Sequence, residues 1–386
     1  MNSFVFYNPT KIYFGSDKYG FIAKEIPKNS KVLLIFGGGS IKNNGVYDRV
    51  IKSLSGFEVV EFGGVHPNPT YEYLYDAIRL CKTESIDFIL AVGGGSVVDA
   101  SKFVAAATFY DGDPWDLLKK KSVVERSLPI GVVLTLPATG SEMNAGAVVT
   151  KEETQEKLGF FSIHSFPKFS ILDPQATFSL PYQQRANGIS DAFIHILEQY
   201  LTYSVGASVQ DRLAEGLLST LIDQGPRTLE NPEDYTACAN IMWASTLALN
   251  GLIGCGVPQD WTTHILGHEL TAKFGISHAE SLTSLIIHVW KERFEEKKEK
   301  LAQYAIYVWG FQANDLDSNA KQAIDKTRLF FQSLSMKTDT SHLNMSMTDI
   351  DNIVRRLEQR KSFPLGEKKT VDKDLCRKIL ISSRNI

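Results

Sequence analysis

Residues 88–102 read FILAVGGGSVVDASK. Five apolar residues, Phe88 to Val92, run without interruption into Gly93-Gly94-Gly95-Ser96, and mostly small or apolar residues continue from Val97 to Thr108. An apolar run of this length suits a strand buried on both faces. Three glycines let the chain turn sharply and leave backbone open to a ligand. The N–H groups at the start of the following helix are free to meet a phosphate. Strand, glycine turn and helix in that order form the unit from which a parallel α/β sheet is built.

The same grammar extends on both sides. Val32–Phe36 is a buried strand followed by Gly37-Gly38-Gly39-Ser40, Glu58–Phe62 a weaker strand, and Glu72–Leu80 has helical spacing. Ile130–Leu136 reads as a strand, with Thr135-Leu136-Pro137-Ala138-Thr139-Gly140-Ser141-Glu142 at its end; Phe169–Leu172 is another, ending at Asp173-Pro174. At the N-terminus Phe4–Tyr7 and Lys11–Phe14, split by Asn8-Pro9, predict a hairpin. Its edge would offer a second copy a place to pair, so a homodimer is expected.

The pattern changes near Pro181. Gln210–Leu221, Tyr235–Leu252, Gln259–Phe274 and Ser281–Phe294 carry helical periodicity, and the tail from Thr338 to Ile386 stays periodic in Ile350–Leu357 and Leu375–Ile381. Two domains are expected, an α/β domain over 1–180 and a helical domain over 181–386.

Composition narrows the function. A net charge of -3 over 386 residues, without a basic cluster interleaved with aromatics, argues against nucleic acid and anionic membrane as partners. The four cysteines, Cys81, Cys238, Cys255 and Cys376, are scattered and form no CxxC pair, which argues against a zinc–thiolate site and for a reducing compartment. No stretch reaches the roughly 20 apolar residues of a membrane span. A cytoplasmic protein is expected.

The second half carries a concentration of imidazoles. Asp191 and His195, and likewise His264 and His268, are four residues apart, so each pair projects from one helix face. Ala186-Asn187-Gly188 is expected to close a loop before the helix that holds Asp191 and His195. Pro258 suits a helix first turn and Gly275 a C-terminal cap. Ser277-His278-Ala279-Glu280 has the spacing of a capping box, which puts His278 at the first position of a new helix. His264, His268 and His278 can therefore face a common pocket. An aspartate with several neutral imidazoles suits a divalent transition metal with an open coordination position. His66, His164, His288 and His342 lack partners at such spacing and are expected to be structural.

The glycine loops suggest the second component. A pyrophosphate would sit on the amides of Gly93–Ser96, with Asp99 toward the nicotinamide ribose or amide end. NAD sites commonly set an acidic side chain against the ribose 2′-hydroxyl. Here the residues after the first strand are Gly37-Gly38-Gly39-Ser40, then Lys42, Asn43 and Asn44. A 2′-phosphate would meet no carboxylate among them, which favours NADP(H).

Taken together, GGGS at 37–40, HPNPT at 66–70, VGGGSVVDASK at 92–102, LPATGSEMN at 136–144, NGISDAFIHILEQY at 187–200 and VPQDWTTHILGHELTAKFGISHAE at 257–280 resemble the iron-containing, group III alcohol dehydrogenases, and within them the NADPH-dependent aldehyde reductases and butanol dehydrogenases. The resemblance covers essentially the whole chain. It implies an α/β plus all-α architecture of the dehydroquinate synthase-like kind: an N-terminal Rossmann-like parallel sheet domain and a C-terminal helical domain, with the active site in the cleft between them. It implies a metal, Fe2+ or Zn2+, on Asp191, His195, His264 and His278, with His268 as a non-ligand, or occasional ligand, beside the nicotinamide. Its cofactor positions map onto Gly38, Gly39, Ser40, Asn68, Gly94, Gly95, Ser96, Asp99, Thr135, Thr139 and Lys157. The chain departs from the family's common Thr-Thr-Ala at Thr135-Leu136-Pro137.

The expected reaction is reversible hydride transfer between NADP(H) and a small alcohol/aldehyde pair. His268 is the candidate proton relay, and Phe160, Phe161 and Trp261 are apolar candidates near the motifs. A dehydroquinate synthase-like lyase would need Lys/Arg groups around a phosphate substrate, and His264–His278 has no arginine cluster. A non-catalytic nucleotide- or metal-binding protein would bind without turnover.

Overall fold

The computed structural model describes residues 1–312 and 315–384. Eight strands are present among them: β1 (Lys11–Phe14), β2 (Lys31–Phe36), β3 (Glu58–Phe62), β4 (Phe88–Gly94), β5 (Ile130–Leu136), β6 (Gly146–Lys151), β7 (Glu156–Phe161) and β8 (Phe169–Leu172). Six form one sheet in the order β1-β8-β5-β4-β2-β3, every neighbouring pair parallel. The strands β2, β4 and β5 are apolar apart from Lys31 and Thr135, because both faces are covered. One side packs Phe103, Trp115 and Leu74 on the sheet; the other packs Val46, Val50 and Ile22. The parallel sheet expected from the strand–turn–helix repetition is thus present, and long helices dominate the later part of the chain.

Two compact units result. One comprises Tyr7–Arg185 and Arg227–Asn250, the other Met1–Phe6, Ala186–Pro226 and Gly251–Ile386. A single boundary at residue 180 does not separate them. The helix Tyr235–Ala248 returns to the sheet unit, where Met242 is buried with Leu134 and Leu172. The tail forms helices Met347–Gln359 and Lys373–Ser382; of the segment expected to be ordered, Asn385 and Ile386 lie outside the described residues.

The expected N-terminal hairpin is absent. Phe4–Tyr7 is irregular and exposed, while β1 runs parallel beside β8 at the sheet edge. Asn8 accounts for the difference. Its Nδ2 donates to the Met143 and Asn250 carbonyls at 2.7 and 3.0 Å, and its Oδ1 accepts from Thr10 N–H. These bonds anchor the chain where a tight turn would have to reverse it.

A hairpin does occur at β6–β7, antiparallel and joined through Glu152–Gln155. Ala147, Val149 and Phe160 enter the sheet unit's core, with Leu158 packed against it. Two helix starts also differ from expectation. Tyr182–Tyr200 begins before Ala186-Asn187-Gly188 and runs through it, and Thr262–Phe274 starts four residues after Pro258.

Candidate functional site

The helix Tyr182–Tyr200 carries Asp191 and His195 on one face, and both are buried. His264, from the first turn of Thr262–Phe274, comes against them. The potential ligand atoms of Asp191, His195 and His264 all lie within 4.8 Å of one another. Gly275, at φ 69°, ends that helix in the left-handed conformation glycine favours. Ser277 then caps the helix His278–Glu292 by accepting from Glu280 N–H, so His278 is its first residue, as expected. Only half of the capping box forms, since the Glu280 carboxylate pairs instead with His342 at 2.9 Å.

Asp191 Oδ1 is the meeting point. It lies 3.7 Å from His195 Nδ1 and 3.7 Å from His278 Nε2. Ligand atoms about 2.0–2.2 Å from one ion sit at roughly that separation from each other. Among the described residues this buried oxygen receives no hydrogen bond, a costly arrangement unless a cation completes it. One carboxylate and three imidazoles fit a borderline divalent ion such as Fe2+ or Zn2+. His268 lies at the rim, half-buried, its ring centroid 5.2 Å from that of His278 and 6.4 Å from that of His264. The Trp261 ring stands edge-on to His264 at 5.2 Å, tied to Gln259 Oε1 through its indole N–H.

Sequence reasoning missed Glu198. It is buried on the same helix, seven residues after Asp191 and three after His195, and its carboxylate meets His264 Nδ1 and Thr263 N–H. Its position in the i, i+4, i+7 series was the available signal. Burial pushes its carboxyl well above the usual range, and nearby Asp260 adds to this. Asp260 is also buried. Lys297 and Arg293 overcome the burial penalty there and hold its carboxyl below the usual range.

The glycine loops lie in the sheet unit. Gly37–Gly39 follows β2 and leads into the short turn Ser40–Asn43. A side chain grafted at Gly38 or Gly39 would meet no protein atom within 4 Å. Protein packing therefore does not explain Gly38, whereas a ligand lying against the backbone would. Gly94 ends β4, and Gly95 and Ser96 begin the helix Gly95–Ala107. A Cβ at Gly95 would overlap Thr139 Oγ1, so the turn after β5 presses directly on this loop. Thr135 lies near the end of β5, buried. Lys157 on β7 donates to Asn68 Oδ1 at 2.8 Å, bringing those two expected cofactor positions together.

Asp99 and Lys102 do not form an exposed pair. Asp99 accepts from Ser141 Oγ at 2.6 Å and from Val148 N–H at 3.0 Å, which fastens β6 to the glycine-loop helix. Lys102, fully buried, donates to Ser141, Asn144 and the Gly146 carbonyl, and burial lowers its ammonium to about 8. The first loop also holds a carboxylate that local sequence did not reveal. Lys42 Nζ lies 3.2 Å from Glu61 Oε2, because β3 pairs with β2 in a register that sets Glu61 beside Leu34. Of the apolar candidates, Phe160 is buried in the core and Phe161 is exposed; both lie on β7.

Comparison with known proteins gives the family. Residues 9–174 match the iron-containing alcohol dehydrogenase model, and residues 185–381 match the C-terminal domain of the same family. The chain belongs to the iron-containing alcohol dehydrogenase family. It is 46% identical, over the full length of both chains, to the NADPH-dependent aldehyde reductase YqhD of Escherichia coli. It is 39% identical to the NADH-dependent butanol dehydrogenase A of Clostridium acetobutylicum, covering 96% of this chain and 97% of that one. The crystal structure of YqhD superposes with a TM-score of 0.97 at 45% identity, covering 100% of this chain and 99% of that one.

This member of the family is an oxidoreductase acting on an alcohol/aldehyde pair, and its family's chemistry takes a divalent metal and a nicotinamide cofactor. Membership favours the dehydrogenase reading over the lyase and non-catalytic ones. No helix among the described residues is long and apolar enough to cross a membrane.

Proposed function

We propose that the protein reduces small aliphatic or aromatic aldehydes with NADPH, reversibly, at a metal held by Asp191, His195, His264 and His278. The observation that carries this reading is the buried Asp191 oxygen facing two imidazole nitrogens at 3.7 Å, with His264 completing the cluster. When bound, the metal polarises the carbonyl oxygen as a Lewis acid and the nicotinamide supplies the hydride.

The chain's own residues do the rest. Gly38, Gly39 and Ser40, with Gly94, Gly95 and Ser96, hold the dinucleotide's phosphates on backbone N–H groups. Asn68, Asp99, Thr135, Thr139 and Lys157 orient it. His268, at the rim of the ligand set, passes the proton that the product oxygen takes up. Trp261 presents an apolar wall beside His264, which suits a small uncharged substrate. The preference for NADPH is supported by the open first loop and by YqhD's NADPH dependence. Residence in the cytoplasm and assembly as a homodimer belong to the same reading, with β1 as the open sheet edge.

The test is NADPH oxidation followed at 340 nm with butanal, before and after chelation, with NADH in parallel. Chelator-sensitive turnover that favours NADPH is expected, and Asp191→Ala or His264→Ala should release the metal and abolish activity. Either variant keeping turnover contradicts the ligand assignment. Light scattering on the same preparation should give twice the 43.0 kDa chain mass.

A further inference from the structure

Glu198 sits where it can decide which nitrogen His264 offers. Its Oε1 accepts from Thr263 N–H at 2.7 Å, and its Oε2 meets His264 Nδ1. Burial alone favours the neutral carboxyl, but a divalent cation on the facing imidazole favours the ionised form, and an ionised Glu198 accepts at both oxygens. The backbone amide can only donate, so Oε1 is committed. The facing Nδ1 must then carry a proton, which leaves Nε2 with its lone pair. We infer that Glu198 is the positioning residue of the metal centre: it fixes His264 as the Nδ1–H tautomer and holds its ring so that Nε2 is the nitrogen presented to the metal. The inference rests on His264 being a ligand. Metal-bound histidines generally direct their second nitrogen to such a partner, which fixes the ring and raises its basicity.

The carboxylate is itself held rigidly. Asp260 N–H donates to the Glu198 carbonyl at 2.8 Å, tying the Glu198 backbone to the segment that leads into His264. Asp260 Oδ1 accepts from both the amide and the hydroxyl of Thr262, at 3.0 and 2.6 Å. Its Oδ2 is clamped by Arg293 and by Lys297, the latter at 2.8 Å. Both cations continue to Glu367, at 2.8 and 2.7 Å, and Lys297 also donates to the Leu201 carbonyl at 2.6 Å. A buried ionic lattice thus fixes Asp260, which caps Thr262 immediately before Thr263 and His264.

The substitution Glu198→Gln separates this role from simple packing. Glutamine has nearly the same shape but only one accepting oxygen. If that oxygen stays on Thr263 N–H, the amide NH2 faces Nδ1 and selects the opposite tautomer, with the proton on Nε2 where the metal should bind. If the amide turns over, two N–H donors confront each other at Thr263. Either way the site is damaged. Glu198→Ala leaves room for a water that can still accept from both groups.

The experiment is a competitive Zn2+ titration of the full chain against a chelator of known affinity. It compares wild type, Glu198→Gln, Glu198→Ala and His264→Ala, and adds the visible spectrum of the Co2+-loaded forms. Glu198→Gln is expected to weaken Zn2+ binding by about 10- to 100-fold, at least as much as Glu198→Ala, and to shift the Co2+ bands. Zn2+ affinity for Glu198→Gln within about twofold of wild type, with Glu198→Ala the weaker binder, is the result of a packing role and overturns the inference while leaving the ligand set intact. Wild-type affinity in His264→Ala overturns both. Should Glu198→Gln not fold, nitrogen-15 NMR of the Zn2+-loaded wild type decides: His264 must show a protonated Nδ1 and a metal-bound Nε2, and the reverse assignment overturns the inference.

Discussion

His268 shares a helix face with His264 but ends in different surroundings, half-buried where His264 is buried. Reach without enclosure suits a group that moves protons while its neighbours hold the ion. His268→Ala should therefore keep its metal and lower kcat by about a hundredfold or more, the usual weight of a positioned proton-transfer group. Metal analysis and turnover on one preparation check this, and full turnover with full metal content would exclude the relay. At this scale the pairs Asp191/His195 and His264/His268 were legible because helical spacing is a local property, and His278 because Ser277 marks a helix start. Glu198 was not, although it lies on the same helix as Asp191. A carboxylate one turn from a histidine is an ordinary helix-surface pattern until the fold brings His264, 66 residues on, against it.

Among elements, β2 and β4 were readable from their unbroken apolar runs, while β6 and β7 were not. Lys151, Glu156 and Lys157 interrupt the apolar alternation of that hairpin, whose inward positions are decided by packing on the glycine-loop helix and its neighbours. Register also adds a group that the local reading of the first loop lacked. The loop after β2 contains no acid, yet β3 delivers Glu61 to Lys42, and the Tyr47 hydroxyl donates to the same carboxylate. Glu61→Gln should free the lysine for a 2′-phosphate. Lys42 and Glu61 are both well exposed, so the gain is small: an exposed ion pair is worth about 0.2–1 kcal/mol, or at most about fivefold in the NADPH/NADH ratio of kcat/KM. Steady-state kinetics with both cofactors measure it. An unchanged ratio would mean that Lys42 does not meet the cofactor.

In the whole molecule, the metal ligands belong to one compact unit and the glycine loops to the other. Each ligand should therefore stabilise chiefly the unit that holds it. At a free concentration of 100 times Kd, binding adds about 2.7 kcal/mol to the stability of the folded form. Calorimetric scans with Zn2+ alone and with NADPH alone should each show a raised transition. A scan unmoved by Zn2+ would argue against a metal site built by the folded chain.

The sequence by itself determined the parallel α/β sheet, the glycine turns, the helix faces bearing Asp191 with His195 and His264 with His268, and the helix start at His278. Each depends on periodicity, capping or turn chemistry within a few residues. Only the tertiary structure decided that β1 joins β8 instead of Phe4–Tyr7, that Tyr235–Ala248 returns to the sheet unit, that Glu61 reaches Lys42 and that Glu198 backs His264. These are contacts between distant residues, set by which surfaces bury apolar area and satisfy buried polar groups together, and no local pattern encodes that choice.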